Sequence, residues 1–180
     1  LIGSHIAGYY QKRFAMTLLP HNFAVGVKGG ADFIIKAMQL SVEKYIVHPQ
    51  AQGTTPSRAA VLFDLSNMFN EVSRSELLHL INEHYPELVP IAQLLYGSDS
   101  TVHFRWEDGS WRTISMTDGL HQGCPLSAIF AALVPSRVLT PIDTKLRQRA
   151  ASRAAAGDSG DDGMGSVTNL FAYVDDVSAC

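Results

Sequence analysis

Between residues 31 and 47 the apolar positions Ile34, Ile35, Met38, Val42, Tyr45 and Ile46 repeat at helical spacing and fall on one face. That period predicts an amphipathic helix. Gly29-Gly30 precede it and Pro49 lies just beyond it, the usual punctuation of helix ends. Residues 50–58 are polar with Gly and Pro and read as a loop. Residues 59–63 form a short apolar run closed by Asp64, the pattern of a buried strand that delivers a carboxylate to a sheet edge. Ser73 and Glu76 have the spacing of a capping box. Leu77, Leu78 and Ile81 then supply the apolar stripe of a helix ending before Pro86, and a second helical stretch runs through Ile91, Leu94 and Leu95 to Gly97.

The rhythm then shortens to two. Val102, Phe104 and Trp106 alternate with polar residues, Asp108-Gly109 follows, and residues 111–116 return, which predicts a hairpin. Residues 125–149 read as a helix, interrupted or kinked at Pro135 and Pro141. Residues 150–166 are rich in Ala, Gly, Ser and Asp and read as a loop. Residues 170–174 read as a strand, Asp175-Asp176 as its turn, and residues 177–180 as the start of a return strand. Strands and helices in mixed order, with two hairpins, predict an α+β fold rather than a doubly wound parallel sheet.

Composition narrows the function classes. The chain has 180 residues, 46% hydrophobic and 17% charged, which suits one globular domain or part of a larger one. Its longest apolar stretches, such as residues 128–134, are too short to span a bilayer. The two cysteines, Cys124 and Cys180, form no CxxC, so neither a thiolate zinc site nor a disulfide framework is expected, and a reducing, intracellular setting is. Leu1 is not an initiator methionine and the chain stops just into an apolar run, as expected for a segment of a longer protein. The net charge of −3 lacks the basic excess that phosphate binding normally uses.

Three short stretches carry candidate chemistry. Phe171-Ala172-Tyr173-Val174-Asp175-Asp176 places two adjacent acids after an apolar strand with no Lys or Arg beside them. Like charges side by side are unfavourable unless solvated or bridged by a cation. Alone, the pair also reads as a solvated turn. Phe63-Asp64-Leu65-Ser66-Asn67-Met68-Phe69 again ends a strand on an acid, which alone reads as a cap. Gly119-Leu120-His121-Gln122-Gly123-Cys124-Pro125-Leu126-Ser127 alone reads as a loop entering a helix.

Taken together and in this order, the three stretches resemble the successive palm motifs of reverse transcriptases. The Gln-Gly-Cys-Pro-Leu-Ser form resembles the non-LTR (LINE-type) retrotransposon and group II intron enzymes. Val25-Gly26-Val27-Lys28-Gly29-Gly30-Ala31 resembles the glycine-rich fingers segment of the non-LTR enzymes. Three positions depart from the family pattern: Met68 and Asn70 stand where Ala and Asp are usual, and Ala128 where Pro is usual.

The resemblance implies a partial right-hand polymerase domain over residues 1–180. Residues 1–58 would form part of the fingers and residues 59–180 mainly the palm, with the thumb and any endonuclease or RNase H region outside the chain. It implies RNA-templated DNA synthesis, with an RNA template, a DNA primer and deoxynucleoside triphosphates as partners. Two Mg²⁺ ions (or Mn²⁺) would lie ~3.5–4 Å apart, held by Asp64, Asp175 and Asp176 with the Leu65 carbonyl. Phe69 matches the steric gate that excludes a 2′-hydroxyl, although core packing is its other reading. Gln122 and Gly123 match the segment lining the nascent base pair, and Lys28 and Arg13 read as solvated surface charge, with contact to template or phosphates as their other reading. A non-catalytic RNA-binding scaffold and a decayed element remnant are the alternatives. The segment on its own is expected to be inactive, because positioning of primer and triphosphate supplies much of such catalysis.

Overall fold

The computed structural model describes residues 2–43, 61–155, 170–173 and 176–179, and in it most of the helical stripes converge on one main core, with a smaller cluster of Leu139, Leu170 and Ala172 beside the sheet. Helix α1 (Ile2–Leu18) enters that core through Phe14, Ala15 and Leu18. The sequence pattern had left this segment unassigned, because exposed Ile2, Tyr9 and Met16 interleave with the buried positions and blur the period. Helix α2 (Gly30–Val42) follows, buried through Ile34. The expected helix continued to residue 47, but residues 44–60 lie outside the described residues.

Strand β1 (Val61–Asp64) leads to the single turn α3 (Met68–Glu71) and then α4 (Arg74–His84). Ser73 caps α4 by accepting from the Glu76 N–H at 3.4 Å. The Glu76 carboxylate pairs with Arg137 at the surface, so half of the expected box is used locally and the other half ties two helices together. A 3₁₀ turn (Pro86–Leu88) and α5 (Val89–Tyr96) follow, and Gly97 closes α5 through its N–H to the Gln93 carbonyl. Strands β2 (Ser100–Arg105) and β3 (Trp111–Met116) form the expected antiparallel hairpin, with Arg105 opposite Trp111 at its tip.

Helix α6 (Ser127–Ala155) differs from expectation in three ways. It starts at Ser127 rather than at Pro125, it runs on through residues 150–155, and neither Pro135 nor Pro141 interrupts it. A proline inside a helix costs about 3 kcal/mol. Here the five consecutive residues Ile129, Phe130, Ala131, Ala132 and Leu133 are all buried, and wrapping a helix on every side offsets a local cost of that size. Strands β4 (Leu170–Tyr173) and β5 (Asp176–Ala179) join β1 in a three-stranded antiparallel sheet of order β1-β5-β4.

The fold is therefore α+β, with a helical core and a small antiparallel sheet. Phe14, Leu77, Ile81, Tyr85, Ala92 and Phe130 meet at the centre of the core. Among the described residues no helix is long and apolar enough to cross a membrane. Because Ile81 is fully buried in the cluster whereas Leu94 is 79% exposed on the neighbouring helix, the two truncations should separate. Ile81→Ala is expected to lower stability by about 2–5 kcal/mol and Leu94→Ala by less than about 0.5 kcal/mol. Urea denaturation followed by circular dichroism checks both.

Candidate active site

The sheet brings two of the sequence-derived acids together. β5 is the middle strand, and Asp176 is its first residue. In the antiparallel register Asp64 lies directly opposite Asp176 on one side, and Tyr173 lies opposite it on the other. Directly opposed positions of an antiparallel pair have Cα atoms ~4.5–5.5 Å apart and share a face of the sheet. Asp176 is thus a strand residue rather than part of the turn. Asp175 lies outside the described residues.

Local sequence explains why the strands sit there. In β4, Leu170 and Ala172 are buried while Phe171 between them is half-buried, the period-two pattern of a strand with one face inward. The outer edge of β4 is covered by the segment after α1. Ala172 N–H donates to the His21 carbonyl at 2.6 Å, and Phe23 N–H donates to the Ala172 carbonyl at 3.0 Å. Rings from three elements lock this corner: Phe23 stacks on Phe33 of α2 at 4.9 Å, and both meet Phe171 edge-on.

Downstream of Asp64 the chain makes a tight reversal. Leu65 is exposed, and Asn67 adopts a left-handed conformation (φ 54°). Asn70 Nδ2 donates to Asn67 Oδ1 at 2.5 Å, which stiffens that reversal. Met68 is buried, and Phe69 is half-buried with its ring packed against the helical core. The core-packing reading of Phe69 therefore applies to part of its ring.

The third stretch is tied to the second by backbone contacts. Leu120 N–H donates to the Phe69 carbonyl at 2.6 Å, and Gly119 N–H donates to the Val72 carbonyl at 2.8 Å. A Cβ on Gly119 would stand 2.6 Å from the Asn70 carbonyl oxygen, and its φ is +81°, so this close approach requires glycine. Leu120 is buried and anchors the loop. His121 stacks on Tyr96 with ring centroids 5.2 Å apart, and its Nε2 lies 3.1 Å from Ser100 Oγ. Ser127 Oγ donates to the His121 carbonyl at 2.7 Å and also meets Tyr96 Oη at 2.8 Å. Burial pushes the Tyr96 phenol up, so it stays protonated at neutral pH and able to donate. Gln122 and Gly123 form the exposed tip of this braced loop, with open space where a Gly123 Cβ would be.

The two cations once read as surface charge separate. Lys28 is exposed. Arg13 pairs with Glu87, donates to the His84 carbonyl at 2.8 Å and lies over the Tyr85 ring, so it clamps α1 onto the end of α4. Arg74 was missed by pattern reading. Its signal was present, since a basic residue in the first turn of a helix opposes the helix dipole, yet Arg74 is only 4% exposed.

The donor chemistry of the opposed acids suits a hard divalent cation. Like charges directly opposite across a ladder are destabilising, and Mg²⁺ is bound by one or two carboxylates that such a cation draws together.

No protein-family model matches the chain, and no curated protein matches it. Among solved structures the chain is similar to an apo telomerase from Candida tropicalis truncated from its C-terminal domain, with 14% identity and a TM-score of 0.54. The match covers 96% of this chain and 33% of that one, so the chain spans about a third of the telomerase's length. At that identity the likeness is one of fold.

The register itself can be tested. In a background with Cys124 and Cys180 replaced by Ala, the pair Asp64→Cys and Asp176→Cys should form a disulfide on mild oxidation, since opposed positions fall within the Cα range a disulfide spans. Asp64→Cys with Val177→Cys should not, because a one-residue offset moves the side chain to the other face. Mass spectrometry of peptides from the oxidised protein distinguishes the two.

Proposed function

We propose that this chain is the fingers-and-palm part of a reverse transcriptase of the non-LTR retrotransposon type, and that it contributes the catalytic acids for RNA-templated DNA synthesis. The observation that carries the reading is the placement of Asp64 opposite Asp176 across β1 and β5. The likeness in fold to a telomerase, a polymerase related to reverse transcriptases, supports it.

On this reading Asp64, Asp175 and Asp176, with the Leu65 carbonyl, hold two Mg²⁺ ions, with Mn²⁺ as a substitute. When bound, such ions lower the pKa of the attacking hydroxyl and stabilise the leaving pyrophosphate. The chain's own residues do the positioning. The opposed strands put Asp64 and Asp176 at facing positions, so their charge is in place before substrate arrives. Phe69 sits one short turn downstream of Asp64, where a partly exposed ring leaves no room for a 2′-hydroxyl. Gln122 and Gly123 sit on a loop joined to Phe69 through the Leu120 N–H, so a nucleotide packed on the ring also meets that loop. Gly123, without a side chain, lets a base pair approach the backbone. Residues 1–58 serve as the fingers portion and residues 59–180 mainly as the palm. RNA template, DNA primer and deoxynucleoside triphosphates are the partners.

Primer extension on an RNA template, with the full-length protein that carries this chain, tests the reading. Asp64→Asn and Asp176→Asn should each reduce extension by about 10²–10³-fold, the scale on which transition-state electrostatics acts, while template–primer affinity persists. Phe69→Val should raise ribonucleotide incorporation and spare deoxynucleotide use. Wild-type inactivity in a folded, template-binding protein would favour a non-catalytic RNA-binding scaffold. Unchanged extension by the two Asn variants would remove the acids from catalysis.

A further inference from the structure

Arg74 occupies a place that an ordinary helix start does not ask for. It is in the first turn of α4, where the helix dipole disfavours a cation, and it is 96% buried by its 4% exposure. Burying a guanidinium without a carboxylate is costly, because the charge loses its hydration and gains no counterion. The side-chain partners of Arg74 among the described residues are neutral. Its Nε donates to the Gly119 carbonyl at 2.8 Å, its Nη1 donates to the Ser98 carbonyl at 3.0 Å, and its plane lies 5.6 Å from the Tyr96 ring centroid. Its Nη2 has no partner among the described residues.

Those partners share a location. Gly119 begins the loop that ends in Gln122 and Gly123, and Tyr96 is the ring on which His121 of that loop stacks. Ser98 leads into the hairpin whose β3 strand feeds the loop. The Arg74 backbone N–H also meets Asp118 Oδ1 at 3.2 Å. Two residues before Arg74, the Val72 carbonyl takes the Gly119 N–H, and three residues earlier still the Phe69 carbonyl takes the Leu120 N–H. One buried cation thus joins the start of α4 to both strands of chain that approach the loop.

We propose that Arg74 is a positioning residue whose guanidinium fixes the Gly119 end of the loop against α3, and so sets the spacing between Phe69 and Gln122–Gly123. The proposal rests on the polymerase reading for its consequence, the geometry of the nucleotide site, but its physical core is independent of it. A guanidinium spans two carbonyls at once; an ammonium on a flexible stem does not reproduce that fork. Arg74→Lys therefore keeps the charge and loses the span.

The experiment uses the full-length protein with Arg74→Lys and Arg74→Met. In primer extension, each variant should raise KM for the deoxynucleoside triphosphate by about tenfold, the scale of a lost hydrogen bond from a charged group, with kcat changed less than about threefold and template–primer affinity unchanged. Hydrogen exchange should show faster exchange at the Gly119, Leu120 and Cys124 amides in Arg74→Lys, with the α4 and α6 core amides as protected as in the wild type. Unchanged loop exchange would overturn the proposal, and so would a uniform loss of protection through α4 and α6 in both variants, which marks a purely structural arginine. Faster loop exchange with KM unmoved would overturn the link to the nucleotide site. If the wild type does not extend primers, the polymerase reading fails while the exchange pattern still decides whether Arg74 holds the loop.

Discussion

Like charges at directly opposed positions of an antiparallel ladder are destabilising, and β1 and β5, strands of four residues each, put Asp64 opposite Asp176. The pairing of β1 with β5 must therefore be held from outside. On one side β5 is held by β4, whose outer edge is in turn hydrogen-bonded to residues 21–23. On that same side the rings of Phe23, Phe33 and Phe171 lock the sheet to α2. On the other side β1 runs into α3, whose Met68 is sunk in the helical core. The acids thus sit at a seam between a large core that supplies stability and a small sheet that has little of its own.

The seam explains why α3 and the loop before α6 are bound so closely. Phe69, Asn70 and Val72 present backbone carbonyls to Leu120 and Gly119, and the fit is tight enough that a single Cβ at Gly119 would not clear Asn70. Side chains then brace the loop from behind, through Arg74, Tyr96 and Ser127. A loop braced behind its tip and joined by a backbone hydrogen bond to the residue carrying a half-buried ring is the arrangement a site needs if it discriminates by shape, because discrimination by exclusion fails wherever the wall can yield.

Elements with a strong local signal were legible in the sequence. The β2–β3 hairpin announced itself through alternation and Asp108-Gly109, α4 through Ser73, and β1 through an apolar run closed by an acid. Elements decided by tertiary packing were not. In α1 the inward positions Tyr10, Phe14 and Leu18 follow a helical period, yet Tyr9 and Met16 are as apolar and face outward. In α6 the prolines argued for a break, and burial on every side of residues 129–133 overrode them. Asp176 looked like a turn residue because Asp favours turns, but pairing with β1 on one side and β4 on the other draws it into the ladder. Arg74 carried a weak signal, a cation in the first turn of a helix, but a charged residue reads as surface until the loop that covers it is known.

The electrostatics of the chain divide the labour of nucleic-acid binding on the proposed reading. The chain's net charge is −3, and Arg13, Arg137 and Arg147 are paired with Glu87, Glu76 and Asp143, so the chain as a whole carries no basic excess for phosphates. Counterion release, which dominates affinity for a duplex, scales with the number of phosphates neutralised. On the proposed reading, net charge is then not what this chain contributes to template and primer binding. What it supplies is a concentration of negative charge at one end of a sheet, beside a braced loop and a partly exposed ring. On the proposed reading, such a place would repel phosphate until divalent cations reversed its sign. On that same reading, cation binding would therefore come before productive nucleotide binding, and the juxtaposed charges would favour a metal-bearing ligand.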